Sequence, residues 1–317
     1  MRILLGCVNS AVSLVGYDLG RRESFWFCPA NVHRVCGTCL EKDALWTASD
    51  DAVTRISRDG IRTLPLPGPH ENLAHSVKFL EGGMLAVADT GNSRVLLRTD
   101  LEDFASLSPV AGWGPDIPAD AIHLNDFMEW EGGLLVSAFA HQPFRQRGGG
   151  TEWKRQGLGC IFHVRAEGGR TVSRIVAAGI NCPHSLAIHE GSVFCCASSD
   201  GALLQFDPDG EGGLRLVRRR QVTSGHFLRG IMRLEDGWLL GGSSRRRDLG
   251  GEGMALLRIG DGDGPPETLR VANAGEIYDI APWDAELMRG VVRTLHGLPT
   301  LDVEGTFPPR CVLPPGY

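Results

Sequence analysis

Apolar residues fall along this chain in short alternating runs, each cut by a turn rich in Gly, Asp or Glu. An alternation of period two marks half-buried strands. Six segments repeat one pattern: a polar residue, an apolar strand, a turn, and a second apolar strand that ends in small residues. They read VCGTCLEKDALWTAS from Val35, HSVKFLEGGMLAVAD from His75, NDFMEWEGGLLVSAF from Asn125, HSLAIHEGSVFCCAS from His184, RGIMRLEDGWLLGGS from Arg229 and YDIAPWDAELM from Tyr278. Successive starts lie 40, 50, 59, 45 and 49 residues apart. Full units continue into two more strand-like runs, as in SRVLLRTDL and FASLSPVAG after His75. Four strands repeating at this period predict propeller blades.

The repeats also predict how the ring closes. The N-terminal run RILLGCVNSAVSLVGYDLGRRESFWFCPA aligns with the second to fourth strands of the His75 unit, whereas the Tyr278 unit supplies mainly a first strand. Joining the two completes the last blade and removes an exposed edge. The expected fold is all-β: a six-bladed β-propeller forming a single domain over residues 1–317, its last blade closed by N-terminal strands. Blade starts fall near 35, 75, 125, 184, 229 and 278, and a tail from about 284 to 317 crosses one face. The sequence contains 42 Gly and 18 Pro, in keeping with many turns, and shows no long amphipathic helix.

The aligned polar positions are more informative than the strands. In a propeller the first strand of each blade lines the central channel, so residues at the strand starts converge on its mouth. Those positions hold Val35 or Cys36, His75, Asn125, His184, Arg229 and Tyr278. His75, His184 and Tyr278 come from alternate blades, a third of a turn apart, which suits an ion on the axis. His123 stands two residues before Asn125, and Glu276 two before Tyr278. The candidate metal ligands are therefore His75, His184, His123 and Glu276. They would hold a divalent ion (zinc, iron, copper or nickel), because neutral imidazole suits all four. The competing structural reading is a ring of polar groups around ordered water, pinning the blades together.

Two long loops should open on the same face. AHQPFRQRGGGTEWKRQG carries His141, Arg145, Arg147, Trp153 and Arg155, and SSRRRDLGGEG carries Arg245, Arg246 and Arg247. Such loops often act as lids, and these would make the mouth electropositive. His226, Arg145 and Arg246 are the candidate substrate-binding residues. Cys28, Cys36 and Cys39 form C-x7-C-x2-C around His33. Because Cys36 and Cys39 fall on one strand and face different surroundings, they are poorly disposed for one metal.

The segment ADTGNSRV (88–95) resembles the signature of NHL-type propeller repeats. Over about residues 70–290 the chain also resembles a poorly characterised bacterial propeller group with H-x-N, P-H-S and A-R-G at successive blade starts. The matches are His123-Leu124-Asn125, Pro183-His184-Ser185 and Leu228-Arg229-Gly230, the last with Leu for Ala. Histidines on alternate blades resemble those of peptidyl-hydroxyglycine amidating lyase, which implies a metal-assisted lyase. This chain lacks the third aligned His. A gluconolactonase-like site would be richer in carboxylates; Asn125 and Glu276 fit it, while His75 and His184 do not.

Charge and composition narrow the partners. With 42% apolar and 22% charged residues, the chain is not disordered. A net charge of −6 argues against a nucleic-acid partner, and no run of about 18 apolar residues predicts a membrane span. LLGC at the start resembles a lipobox, but too few residues precede Cys7 for a signal peptide, so the expected compartment is the cytoplasm. Nine cysteines, an odd number, are expected as free thiols. No P-loop, nucleophile elbow or dinucleotide fingerprint is present.

The expected function is that of a metal-dependent lyase, hydrolase or isomerase acting on a small anionic metabolite or modified peptide. Arg229 would hold negative charge, Asn125 would orient the substrate and Tyr278 would shuttle a proton. The alternatives are a non-catalytic propeller that binds a ligand or protein through the same ring, and a scaffold that binds a protein partner on its rim.

Overall fold

The structure is a computed structural model. It describes residues 1–8, 12–28, 34–41, 43–70, 73–98, 104–113, 117–143, 157–244, 255–271 and 275–296. Its strands form six four-stranded antiparallel sheets arranged as the blades of one ring. The first blade contains β4 (Gly37–Glu41), β5 (Ala44–Ser49), β6 (Ala52–Ser57) and β7 (Gly60–Pro65). The second contains β8 (Ala74–Phe79), β9 (Leu85–Asp89), β10 (Arg94–Arg98) and β11 (Ala105–Leu107). The third contains β12 (Leu124–Trp130), β13 (Gly133–Ala138), β14 (Gly159–Glu167) and β15 (Arg170–Ile180). The fourth contains β16 (Pro183–His189), β17 (Ser192–Ala197), β18 (Ala202–Pro208) and β19 (Leu214–Gln221). The fifth contains β20 (His226–Leu234), β21 (Gly237–Ser244), β22 (Ala255–Gly260) and β23 (Glu267–Arg270).

The sixth blade joins the two ends of the chain. β24 (Glu276–Pro282) pairs with β1 (Arg2–Val8), followed by β2 (Leu14–Asp18) and β3 (Glu23–Phe27). Ile3 lies opposite Pro282 and Gly6 opposite Asp279, so the N-terminal strand runs beside Tyr278 as the repeats predict.

Alternating side chains make each sheet apolar on both faces, and the core divides accordingly. Among the described residues six apolar clusters lie between neighbouring blades. Leu135, Ile161 and Val176 of the third blade meet Leu186, Leu204 and Phe206 of the fourth. Ile3, Leu5 and Val15 of the closing blade meet Leu239 and Leu256 of the fifth.

The tail departs from expectation over its first turns. Residues Ala285–His296 form an amphipathic helix, α1, on the face opposite the strand starts. Asp284 caps it: Oδ1 accepts the backbone N–H of Glu286 and of Leu287, both at 2.9 Å. Met288, Val291, Val292 and Leu295 are buried with Leu14, Trp26, Leu45 and Ile56 under the joint between the closing and first blades. Each contributes about 2 kcal/mol by area removed from water. The spacing 288, 291/292, 295 is that of a helix, but a central glycine and two valines weaken the local signal. Gly290 is there for close approach, since a Cβ would stand 2.9 Å from Arg58 Cβ. Residues 297–317 lie outside the described residues.

One irregularity recurs at the top of the first strands. In each of five blades the pairing between the innermost two strands slips by a residue: at His75, Asn125, Ser185, Gly230 and Tyr278. A β-bulge re-aims the side chains around it, and here it does so at or just after each aligned polar residue.

Candidate active site at the channel mouth

The residues that these bulges aim do meet. The His75 ring lies 5.2 Å from His123, 6.2 Å from His184 and 5.9 Å from Tyr278, centroid to centroid. His184 and Tyr278 are 5.8 Å apart. The guanidinium of Arg229 stacks between Tyr278, at 4.0 Å, and Phe227, at 4.6 Å. Five residues separated by up to 203 positions (75 to 278) thus form one cluster on the axis.

Hydrogen bonds fix several of these groups. His75 Nδ1 lies 2.8 Å from the Leu73 carbonyl and 2.9 Å from Thr90 Oγ1, whose own proton goes to the Leu124 carbonyl. A carbonyl can only accept, so Nδ1 carries the hydrogen and Nε2 keeps its lone pair. His123 Nδ1 lies 2.9 and 3.0 Å from the two carboxylate oxygens of Asp120, which fixes the ring. His184 Nδ1 pairs with Ser185 Oγ at 3.1 Å, and that oxygen also accepts Gly230 N–H at 2.9 Å.

Burial governs the titration of two of the imidazoles. Desolvation first, then the proximity of His123, drives His75 down to about 3. Desolvation, followed by the charge of Arg229, pushes His184 well below its ordinary value. Both are neutral at physiological pH.

Glu276, expected as a metal arm, instead forms a buried ion pair with Arg229. Arg229 Nη1 also donates to Ser243 Oγ at 3.2 Å. Arg229 is therefore charge-balanced, and its remaining asset is a donor plane held by two aromatic rings. Asn125 spends Nδ2 on the carbonyls of His123, at 2.9 Å, and Pro183, at 3.2 Å, bracketing the segments that carry two of the histidines. Of the buried polar atoms without a hydrogen-bond partner among the described residues, three belong to the ring: His184 Nε2, Arg229 Nε and Asn125 Oδ1.

His226 starts β20 at the rim, its Nδ1 3.2 Å from Thr223 Oγ1. Arg145 and Arg246, with Arg147, Trp153, Arg155, Arg245 and Arg247, lie outside the described residues, as does His33. The segments that anchor both loops do reach the site, through Phe139 beside His123 (4.5 Å between rings) and Ser243 on Arg229. Cys36 is buried and Cys39 half-buried; desolvation raises both thiols, Cys36 to about 12.

Asp120, Thr90, Phe139 and Phe227 were not legible as site residues. Asp120 precedes His123 by three positions in ADAIHLN, and that spacing is the one hint the sequence offers. The two phenylalanines read as ordinary strand residues.

For a divalent ion, the fit is partial. His75 has the occupied Nδ1 and unprotonated Nε2 of a pre-oriented ligand, and His123 is likewise held at Nδ1. As placed, however, no three His, Cys, Asp or Glu side chains among the described residues converge on one point. No described helix is long and apolar enough to cross a membrane.

No family profile and no curated protein sequence matches the chain. Solved structures match its fold. A protein of unknown function from Bacteroides caccae is 15% identical with a TM-score of 0.61, covering 88% of this chain and 97% of its own. A putative 6-phosphogluconolactonase from Bacteroides fragilis is 13% identical at 0.53, covering 89% and 98%. A catalytically inactive virginiamycin B lyase from Staphylococcus aureus, solved with quinupristin, is 12% identical at 0.51, covering 84% and 77%. At these identities the likeness establishes a shared propeller fold.

Proposed function

We propose that the chain is an enzyme of the lyase, hydrolase or isomerase type that acts on a small anionic metabolite or modified peptide at the channel mouth. One observation carries this reading: His184 Nε2, Arg229 Nε and Asn125 Oδ1 are buried without a partner on a shared axis. Each such atom costs about 1–3 kcal/mol of desolvation. A bound molecule that supplies partners offsets that cost.

The chain's own groups divide the work. His123, held by Asp120 as a triad histidine is held by its carboxylate, is the general base, taking a proton at Nε2. Tyr278 returns a proton to the leaving group. His75 and His184, neutral and fixed, direct their Nε2 atoms toward the substrate. Arg229 donates from Nε to an anionic oxygen, while Phe139 and Phe227 wall off water. A divalent ion, where bound, would supply Lewis acidity, and His75 and His184, rather than the base His123, are the residues that would hold it. This reading shares its reaction class with amidating lyase, which the alternate-blade histidines resemble.

The test is a panel of small carboxylates, phosphate esters and modified peptides, screened for thermal shift and then for turnover by mass spectrometry, with and without zinc. At least one anionic class should bind and react, and His123→Ala should lower turnover about 100-fold or more while binding persists. Binding without turnover would make the ring a ligand-binding module. If no compound binds, or if His184→Ala binds like the wild type, the site assignment fails.

A further inference from the structure

Beneath the ring, a channel of about 400 Å³ runs toward the opposite face, lined above by His75, His184 and Tyr278 and below by Leu40, Met128, Ile188 and Met232. Its charges do not balance. Lys78 Nζ is spent on Asp126 Oδ1 at 2.7 Å and on the Phe127 carbonyl at 2.7 Å. Arg233, at the lower rim, is paired to Asp261 through both terminal guanidinium nitrogens. Asp279, in contrast, accepts only from neutral donors: Thr38 N at 2.6 Å, Thr38 Oγ1 at 3.0 Å and its neighbour Ile280 N at 2.9 Å. Among the described residues it forms no ion pair. The channel therefore carries one carboxylate without an ion-pair partner.

Two further polar atoms on this cavity are acceptors. Asn125 Oδ1 is unpartnered in a side chain that is 1% exposed, and His75 Nε2 has a free lone pair because Nδ1 holds the hydrogen. His184, its Nε2 unpartnered, lines the same space. An acceptor-rich, negatively charged top over an apolar vestibule suits a ligand with several N–H donors, a positive charge and a short hydrocarbon body.

We propose that the axial channel beneath the ring is a binding site for a small primary amine, its ammonium against Asp279 and the ring acceptors and its alkyl body among Leu40, Met128, Ile188 and Met232. The site adjoins the mouth and shares His75, His184 and Asn125 with it, but amine binding there does not depend on the reaction assigned to the mouth. An ammonium gives Asp279 a direct ion-pair partner, where Lys78 is spent on Asp126, and its other N–H groups meet Asn125 Oδ1 and His75 Nε2.

The test is isothermal titration of the full chain with butylamine near neutral pH, with butan-1-ol, butyrate and ammonium chloride as comparisons. Butylamine should bind saturably, the alcohol and butyrate should not, and bare ammonium should bind more weakly than the amine. Asp279→Asn should weaken butylamine about tenfold or more. Ile188→Trp, which fills the vestibule without touching any charge, should weaken it as well and covers the case in which Asp279→Asn does not fold. Binding of butyrate in place of butylamine would make this an anion site on Lys78 and overturn the proposal. So would the absence of saturable amine binding, or unchanged affinity in both folded variants.

Discussion

His75 and Asp279 sit on either side of the same ring and respond to pH in opposite directions. The folded-state value of His75 lies at about 3, below the ordinary imidazole value of 6.5. Its contribution is therefore fully present above pH 6.5 and is lost as pH falls toward 3, because the unfolded chain gains the proton first. Asp279 is raised by burial from 3.8 to about 6. Its contribution is fully present below pH 3.8 and is lost as pH rises through 6, at most about 3 kcal/mol for a group that keeps some access to channel water. Thermal melts across pH 4 to 8 should show this divergence. His75→Asn should flatten the acid limb, and Asp279→Asn should gain on the wild type as pH rises. Parallel curves for all three proteins would refute it. The Arg229–Glu276 pair makes a different demand. Arg229→Met should cost about 3–5 kcal/mol in denaturant unfolding, since Glu276 is left buried and charged. Adding Glu276→Gln should restore much of that loss.

At the scale of elements, bulges and latches place the site. Directly after the aligned polar residues come Asp126, Ser185 and Asp279, and each accepts a backbone N–H from the next blade: Leu186, Gly230 and Thr38. Blade start and blade contact are thus set by adjacent residues. The aligned polar positions could be read from the repeats because their types recur in register. The bulges could not, since an extra residue in a strand pair has no fixed sequence mark. Nor could the Arg229–Glu276 pairing, because both residues were legible only as inward-facing polar groups. Gly230 is the exposed weakness of this arrangement. It adopts φ +58, and a Cβ there would stand 3.1 Å from Ile280 Cγ1 and 3.3 Å from Asp279 Cα. Gly230→Val should cost about 2 kcal/mol and displace Arg229, seen as lost stability together with weaker ligand binding. Full stability in that variant would show that the bulge is dispensable.

For the whole molecule, the closure of the ring was legible because the N-terminal strands repeat the pattern that the Tyr278 unit lacks. The helix over 285–296 was not, since only tertiary contact with Trp26, Leu45 and Ile56 makes its apolar stripe meaningful. Closure implies that the axial site exists only when both chain ends are in place. Removing β1 should therefore abolish cooperative unfolding and the site together. The central claim is that sequence-distant imidazoles form one buried, neutral, ligand-binding unit. It is tested most directly by nitrogen NMR of histidine-labelled protein, titrated with acid and then with a compound that shifts the melting temperature. The account predicts that His75 and His184 remain neutral well below pH 6.5, and that ligand moves the signals of His75, His123 and His184 together. Independent titration of His184 near 6.5, with signals indifferent to ligand, would contradict it.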